Sequence, residues 1–187
     1  IVRGSDTGDD ELTGDTNANT LIGGGGDDTL SGGLGDDVFT GGAGTNTLDY
    51  SYTANDIAIN LTSTTDISDG ADTDTVNDIG NFQNLIGGSG ADTFIGSADN
   101  NIFIGGGGAD TLEGAGGIDE LTGGTGDDLF IVNDGEENAG DTFAGGSGND
   151  TVDYSGTTGV TVDMTVSGDN GFSGIEILRG SDTDNDN

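Results

Sequence analysis

The chain has 187 residues and a formal charge of −34, because 36 Asp and Glu face only two cations, Arg3 and Arg179; His, Cys, Pro and Trp are absent. That balance repels nucleic acid and anionic membranes, whose phosphates need clustered Lys or Arg, and it attracts multivalent cations. Without His there is no zinc-protease H-E-x-x-H and no Ser-His-Asp triad, without Cys there is no disulfide staple, and a hydrophobic content of 29% is too low for a broad two-layer core.

In chain order, the first signal is a nine-residue repeat. From Ser5 the units read SDTGDDELT, GDTNANTLI, GGGGDDTLS, GGLGDDVFT and GGAGTNTLD, ending at Asp49. A second run opens at Asp69 with DGADTDTVN and DIGNFQNLI. It continues as GGSGADTFI, GSADNNIFI, GGGGADTLE, GAGGIDELT and GGTGDDLFI. After an insertion over residues 132–135 it ends with EENAGDTFA and GGSGNDTVD. The common pattern is G-G-x-G-x-D-x-U-x, with U a large apolar residue at position eight of every unit. A flexible Gly-rich linker has no such fixed phase.

Two related connectors interrupt the repeats: LDYSYTANDIAINL from Leu48 and VDYSGTTGVTVDM from Val152. Each carries a period-two strand, Ile57, Ile59 and Leu61 in one and Val160, Val162 and Met164 in the other. Their exits, NFQNLIGGS and GIEILRGSD, are alike, and the tail RGSDTDND from Arg179 echoes RGSDTGDD from Arg3. The expected organisation is a first roll block over residues 1–49 and a β connector over 50–68. A second block covers 69–153, a second connector 154–179, and the start of a further roll repeat 180–187. The echo of the two ends suggests a cut from a longer tandem protein. Neither a signal peptide at Ile1 nor a stretch long enough to span a membrane is visible.

Within one unit, the glycines allow a tight turn and x-U-x is a very short strand with U pointing inward. Two units make one flattened coil, and coils stack at about 4.8 Å. Units on the same edge are therefore eighteen residues apart, with a cation expected between each stacked pair of turns. Backbone carbonyls and a position-six carboxylate offer the all-oxygen environment that Ca²⁺ prefers. The candidate ligands are Asp10, Asp28, Asp37, Asp74, Asp92, Asp110, Asp119, Asp128, Asp141 and Asp150, with Asn19, Asn46 and Asn101 as uncharged counterparts. This spacing pairs Asp10 with Asp28, Asp28 with Asn46, and Asn19 with Asp37. In the second run it pairs Asp74 with Asp92, Asp92 with Asp110, and Asp110 with Asp128; Gln83 pairs with Asn101, and Asn101 with Asp119. If the insertion loops out, Asp119 pairs with Asp141 and Asp128 with Asp150. The Gln83–Asn101 position, with two amides, is expected to be weak or empty. Stacked carboxylates repel unless neutralised, so the chain is expected to be largely unfolded at low calcium and to fold when several Ca²⁺ bind.

The nonapeptides, together with the D-Y-S and I-x-x-L-x-G-S connector motifs, resemble hemolysin-type calcium-binding (RTX) repeat proteins of Gram-negative bacteria. The resemblance implies an all-β, right-handed parallel β-roll with Ca²⁺ between stacked turns, exported by a type I secretion system and folded outside the cell. It also implies position-six Asp side chains and turn carbonyls as calcium ligands. On this reading the chain is not an enzyme. It is an extracellular or cell-surface structural and interaction module of an adhesin or filament-forming protein, with calcium, further copies of itself or neighbouring roll modules as partners. The alternative is the secretion and folding module of an exoenzyme whose catalytic domain lies elsewhere. Ice binding is disfavoured, because position three (Thr7, Thr16, Gly25, Leu34, Ala43) forms no Thr or Asn ladder. Tyr50 and Tyr154 are expected to pack over open roll ends, and Arg3 and Arg179 to pair with local carboxylates.

Overall fold

The computed structural model describes residues 1–63, 65–133, 140–157 and 171–180. Short strands alternate between two walls. First come β1 (Val2–Arg3), β2 (Glu11–Thr13), β3 (Thr20–Gly25), β4 (Thr29–Ser31), β5 (Val38–Ala43) and β6 (Asn46–Asp49). The first connector supplies β7 (Ala58–Asn60) and β8 (Asp66–Ser68), and β9 (Thr73–Val76) follows. A 3-10 turn, Ile79–Asn81, then leads to β10 (Phe82–Ile86). The alternation resumes with β11 (Thr93–Ile95), β12 (Ile102–Gly107), β13 (Thr111–Glu113), β14 (Glu120–Thr125), β15 (Leu129–Asn133), β16 (Thr142–Ser147) and β17 (Thr151–Gly156). It closes with β18 (Phe172–Ser173) and β19 (Ile177–Arg179).

These strands form a β-solenoid of about 8 turns. A long 8-stranded sheet, β2-β4-β6-β10-β12-β14-β16-β18, makes one wall. The opposite wall is divided between an early 5-stranded sheet, β1-β3-β5-β9-β8, and a late 6-stranded sheet, β7-β11-β13-β15-β17-β19. Among the described residues every pairing is parallel except β8 with β9, an antiparallel strand closing the early sheet.

The core is a column of position-eight side chains, because alternation points only the middle residue of each x-U-x inward. Leu12, Leu21, Leu30, Phe39, Leu48, Val76, Leu85, Phe94, Phe103, Leu112, Leu121, Phe130, Phe143 and Val152 are all buried in one cluster. Each contributes about 1.5–3 kcal/mol on burial. The connector joins the same column: Ile57, Ile59 and Leu61 are buried, and Ile59 sits beside Phe94 in register. The matching residues Val160, Val162 and Met164 fall outside the described residues, as does the tail beyond Gly180.

The turns bend through conformations that only glycine adopts cheaply. Gly26, at position four, has φ 120°; among the described residues only one non-glycine, Ala115 at position two of its unit, has a positive φ, 66°.

Two relationships differ from those read off the nine-residue count. β9 pairs with β5 (Thr75 beside Val38, Val76 beside Phe39), so Asp74 stacks over Asp37 rather than beneath Asp92. The connector strand β7 takes the place beneath β11, and Asp92 stacks over Ile57. Second, Tyr50 does not cover a roll end. It is 1% exposed, meets Phe39 edge-on at 6.2 Å, and fills the seam between the early and late sheets. Arg3 pairs with Asp6 at 3.1 Å and Arg179 with Asp153 at 3.3 Å.

Candidate cation sites along the turn ladder

Each position-six side chain lies at a strand start, immediately before the core residue two positions on. In ten of these turns it accepts the backbone N–H of the position-six residue one coil earlier, whereas Asp92 accepts from Ile57 and Asn19 and Asn101 accept from Asp15 and Ser97 of their own turns. The bonds run Asp10 to Asp28 (2.9 Å), Asn19 to Asp37 (2.7 Å), Asp28 to Asn46 (3.1 Å), Asp37 to Asp74 (2.8 Å) and Asn46 to Gln83 (3.0 Å), donor first. The later ladder runs Asp92 to Asp110 (2.7 Å), Asn101 to Asp119 (2.7 Å) and Asp110 to Asp128 (2.9 Å). It crosses the insertion unbroken, Asp119 to Asp141 at 2.9 Å and Asp128 to Asp150 at 3.0 Å. The structure thus brings together every described pair expected from the spacing except Asp74 with Asp92.

Where the acceptor is Asp, one carboxylate oxygen is used in the bond, and the other decides the chemistry; Asn46 and Gln83 accept through amide oxygens. Oδ2 of Asp28, Asp37, Asp110, Asp128 and Asp150 is buried and has no hydrogen-bond partner. Leaving such an atom unsatisfied costs more than an ordinary hydrogen bond gains. The amides at position six have no such orphan. Asn46 Nδ2 donates to the Asn81 carbonyl and Asn101 Nδ2 to the Gln83 carbonyl, each at 2.8 Å. Three other carboxylates are satisfied internally: Asp10 by the Ser5 N–H and hydroxyl, Asp92 by the Gly88 N–H, and Asp74 by the Tyr50 hydroxyl at 2.8 Å.

The orphaned oxygens face a space kept open by the position-one glycine. A side chain at Gly23 would run into both Asp28 Oδ2 and the Gly41 carbonyl oxygen; at Gly105 it would meet Asp110 Oδ2 and the Gly123 carbonyl; at Gly145, Asp150 Oδ2 and the Gly174 carbonyl. A carboxylate and a carbonyl of the next coil therefore converge where a Cβ would sit. This all-oxygen donor set suits a hard cation such as Ca²⁺. Among the described residues no three acidic side chains gather into a preformed metal cluster. The donors are one or two carboxylates per turn, supplemented by backbone.

Without a cation these carboxylates are strained electrostatically. Burial is the largest cause, opposed by the backbone N–H each accepts and reinforced by neighbouring Asp charges. It lifts Asp110 to about 7 and Asp128 to about 6. Asp74, buried and beside Asp37 and Asp69, also rises to about 6. Asp28, Asp37, Asp92 and Asp141 are raised in the same way, burial first.

Some participants were not visible in the repeat. Glu176 accepts the Asp150 N–H at 2.9 Å, taking the position-six role in the second connector's exit; the alignment of that exit with the one containing Gln83 is the signal that marks it. Asp69, at position one where most units have Gly, is 2% exposed, takes the Tyr52 hydroxyl on Oδ2 at 3.0 Å, and leaves Oδ1 without a partner. Position five builds a second ladder running the other way. Asp9 accepts from Asp27 N (2.8 Å), Asp27 from Thr45 N (2.7 Å) and Asp127 from Asn149 N (2.9 Å). The adjacent acids of each D-D pair thus clamp the coil on opposite sides.

The family model for the RTX calcium-binding nonapeptide repeat, written as four copies, matches residues 5–39, 13–48, 86–121, 113–136 and 137–156. A search of curated proteins finds no match. The matched stretches cover more than half of the sequence and fall on the turns whose carboxylates form the ladder, so the chain belongs to the RTX calcium-binding nonapeptide repeat family.

Proposed function

We propose that this roll is an extracellular structural and interaction module of a large secreted bacterial surface protein, and that it folds when calcium binds between its turns. Asp28, Asp37, Asp110, Asp128 and Asp150 are the principal side-chain ligands, with Asp119 and Asp141 extending the late ladder. The observation that carries the reading is the row of buried carboxylate oxygens with no donor. With a charge of −34 and only two arginines, both exposed, the chain has no side-chain cations to neutralise that row. A divalent ion that binds only the folded coil removes both the desolvation cost and the repulsion, so binding and folding are one equilibrium. RTX repeats typically belong to secreted proteins, and calcium outside cells is far more abundant than inside. The secreted role follows from that difference: the chain passes out unfolded and gains its shape at its destination.

Far-ultraviolet circular dichroism of the purified chain checks this. A β-type signal is expected to develop cooperatively as calcium is added and to vanish in excess chelator. The same folded signal persisting in chelator would refute the linkage.

A further inference from the structure

We propose that a second copy of this unit, joined in line, continues the roll by sharing a strand, so that Ile177–Arg179 of one copy stands where Ile1–Arg3 stands in the next. Residues 177–183 read ILRGSDT and residues 1–7 read IVRGSDT. In the fold their strands, Ile177–Arg179 and Val2–Arg3, are one element seen from its two sides. β19 pairs with the strand before it, Leu178 beside Val152 and Arg179 beside Asp153. β1 pairs with the strand after it, Val2 beside Leu21 and Arg3 beside Ile22, and the Gly4 N–H extends that ladder to the Ile22 carbonyl at 2.8 Å. The inward face is also the same: Val2 and Leu178 pack partly buried against the core. Among the described residues, each strand leaves unpaired the edge that the other has filled, and an unpaired parallel edge is a template for a further strand.

The connectors support the same join. At the first, the long sheet runs straight through from β6 to β10, with Leu48 beside Leu85, while the opposite wall changes from the early sheet to the late one. At the second, the late sheet runs straight through from β17 to β19, with Val152 beside Leu178, and among the described residues β18 is the outermost strand of the long sheet. The motif Leu48-Asp49-Tyr50-Ser51 on one wall thus has its counterpart, Val152-Asp153-Tyr154-Ser155, on the other. With β19 serving as β1 of the next copy, the late sheet of one copy becomes the early sheet of its successor. Each sheet then passes through one connector and closes at the following one, at a strand such as β9 with its antiparallel β8. The result is one unbroken solenoid whose walls exchange roles at every connector.

Solenoids unfold as one unit when neighbouring repeats share an interface and independently when they do not. The test is calorimetry, in saturating calcium, of a chain carrying two copies in line, Gly180 of the first followed by Ser5 of the second. It is compared with the single copy and with two copies separated by a long Gly-Ser segment. The direct join is expected to give one transition, above the single-copy midpoint and with about twice its enthalpy. The separated pair is expected to melt like the single copy. In the direct join, Leu178→Asp in the first copy should split the transition, whereas Leu178→Val, the residue found at position 2, should leave it whole. Two independent transitions at the single-copy midpoint in the direct join would overturn the shared strand. This inference rests on calcium-linked folding only through the choice of buffer. A joined pair that folds while the single copy does not would still support it, and a failure of every form to fold in calcium would defeat both readings.

Discussion

Asp110 accepts the backbone N–H of Asp92 through Oδ1 at 2.7 Å, and its Oδ2 lies buried with no donor at all. Half a coil away on the other edge, Asn101 holds the equivalent position with an amide that leaves no orphan: its Oδ1 accepts the Ser97 N–H at 2.9 Å and its Nδ2 donates to the Gln83 carbonyl at 2.8 Å. Asp110→Asn should therefore act in opposite directions in the two states of the metal. In chelator it removes a buried unsatisfied charge and raises the residual β signal, by about 1–3 kcal/mol in stability. In calcium it deletes a ligand, so the calcium concentration at half-folding rises several-fold. Titrating both proteins from chelator to excess calcium checks both signs; a variant weaker in chelator would count against the orphaned oxygen as the source of strain.

Glycine matters at position one for space rather than for backbone freedom. Gly105→Ala places a methyl against Asp110 Oδ2 and the Gly123 carbonyl, whereas Gly80, in the 3-10 turn, has nothing within 4 Å. The first substitution should cost about 1–3 kcal/mol in urea unfolding with calcium present. Gly80→Ala should change stability by no more than about 0.5 kcal/mol, and slight stabilisation is expected from the stiffer unfolded chain.

Much of this was legible in the sequence. The position-eight column from Leu12 to Val152 and the position-six ladder follow from a nine-residue phase, because two short strands per coil leave no other way to bury one apolar residue per unit. What the phase does not fix is register across an interruption. Asp74 stacks on Asp37 because β7 enters the opposite wall first and displaces β9 onto β5, a consequence of connector geometry rather than of counting. Nor does the repeat reveal which oxygen of each carboxylate is spent on a backbone N–H. The roles of Asp27, Asp69 and Glu176 depend on that detail.

The seam between the early and late sheets depends on Tyr50, whose hydroxyl is the donor to Asp74 Oδ2. Tyr50→Phe leaves a fully buried carboxylate oxygen unpaired and should cost about 1–3 kcal/mol. Tyr52→Phe, which frees Asp69 from a more exposed ring, should cost less. Urea denaturation of both variants in calcium gives the order; a larger loss at Tyr52 would contradict it.

Acid should partly replace calcium. In the metal-free fold Asp110 is raised to about 7 and Asp74 and Asp128 to about 6, burial being the main cause, above the value of 3.8 they have in the open. Between those values the folded chain binds more protons than the unfolded one. Stability therefore rises as pH falls from about 7 to about 4 and is lost as pH climbs back through that window. In chelator, circular dichroism should show more β structure near pH 4.5 than near pH 7.5 (roughly the two ends of that window). A flat profile, or one with the opposite slope, would mean that the buried carboxylates are not what opposes folding.

The most direct measurement locates the ions themselves, by anomalous scattering from crystals grown in calcium. Peaks are expected beside the second carboxylate oxygens of Asp28, Asp37, Asp110, Asp128 and Asp150, with none between Gln83 and Asn101. Carboxylates standing without ions in a folded, calcium-soaked roll, or a fully occupied site between the two amides, would contradict the account.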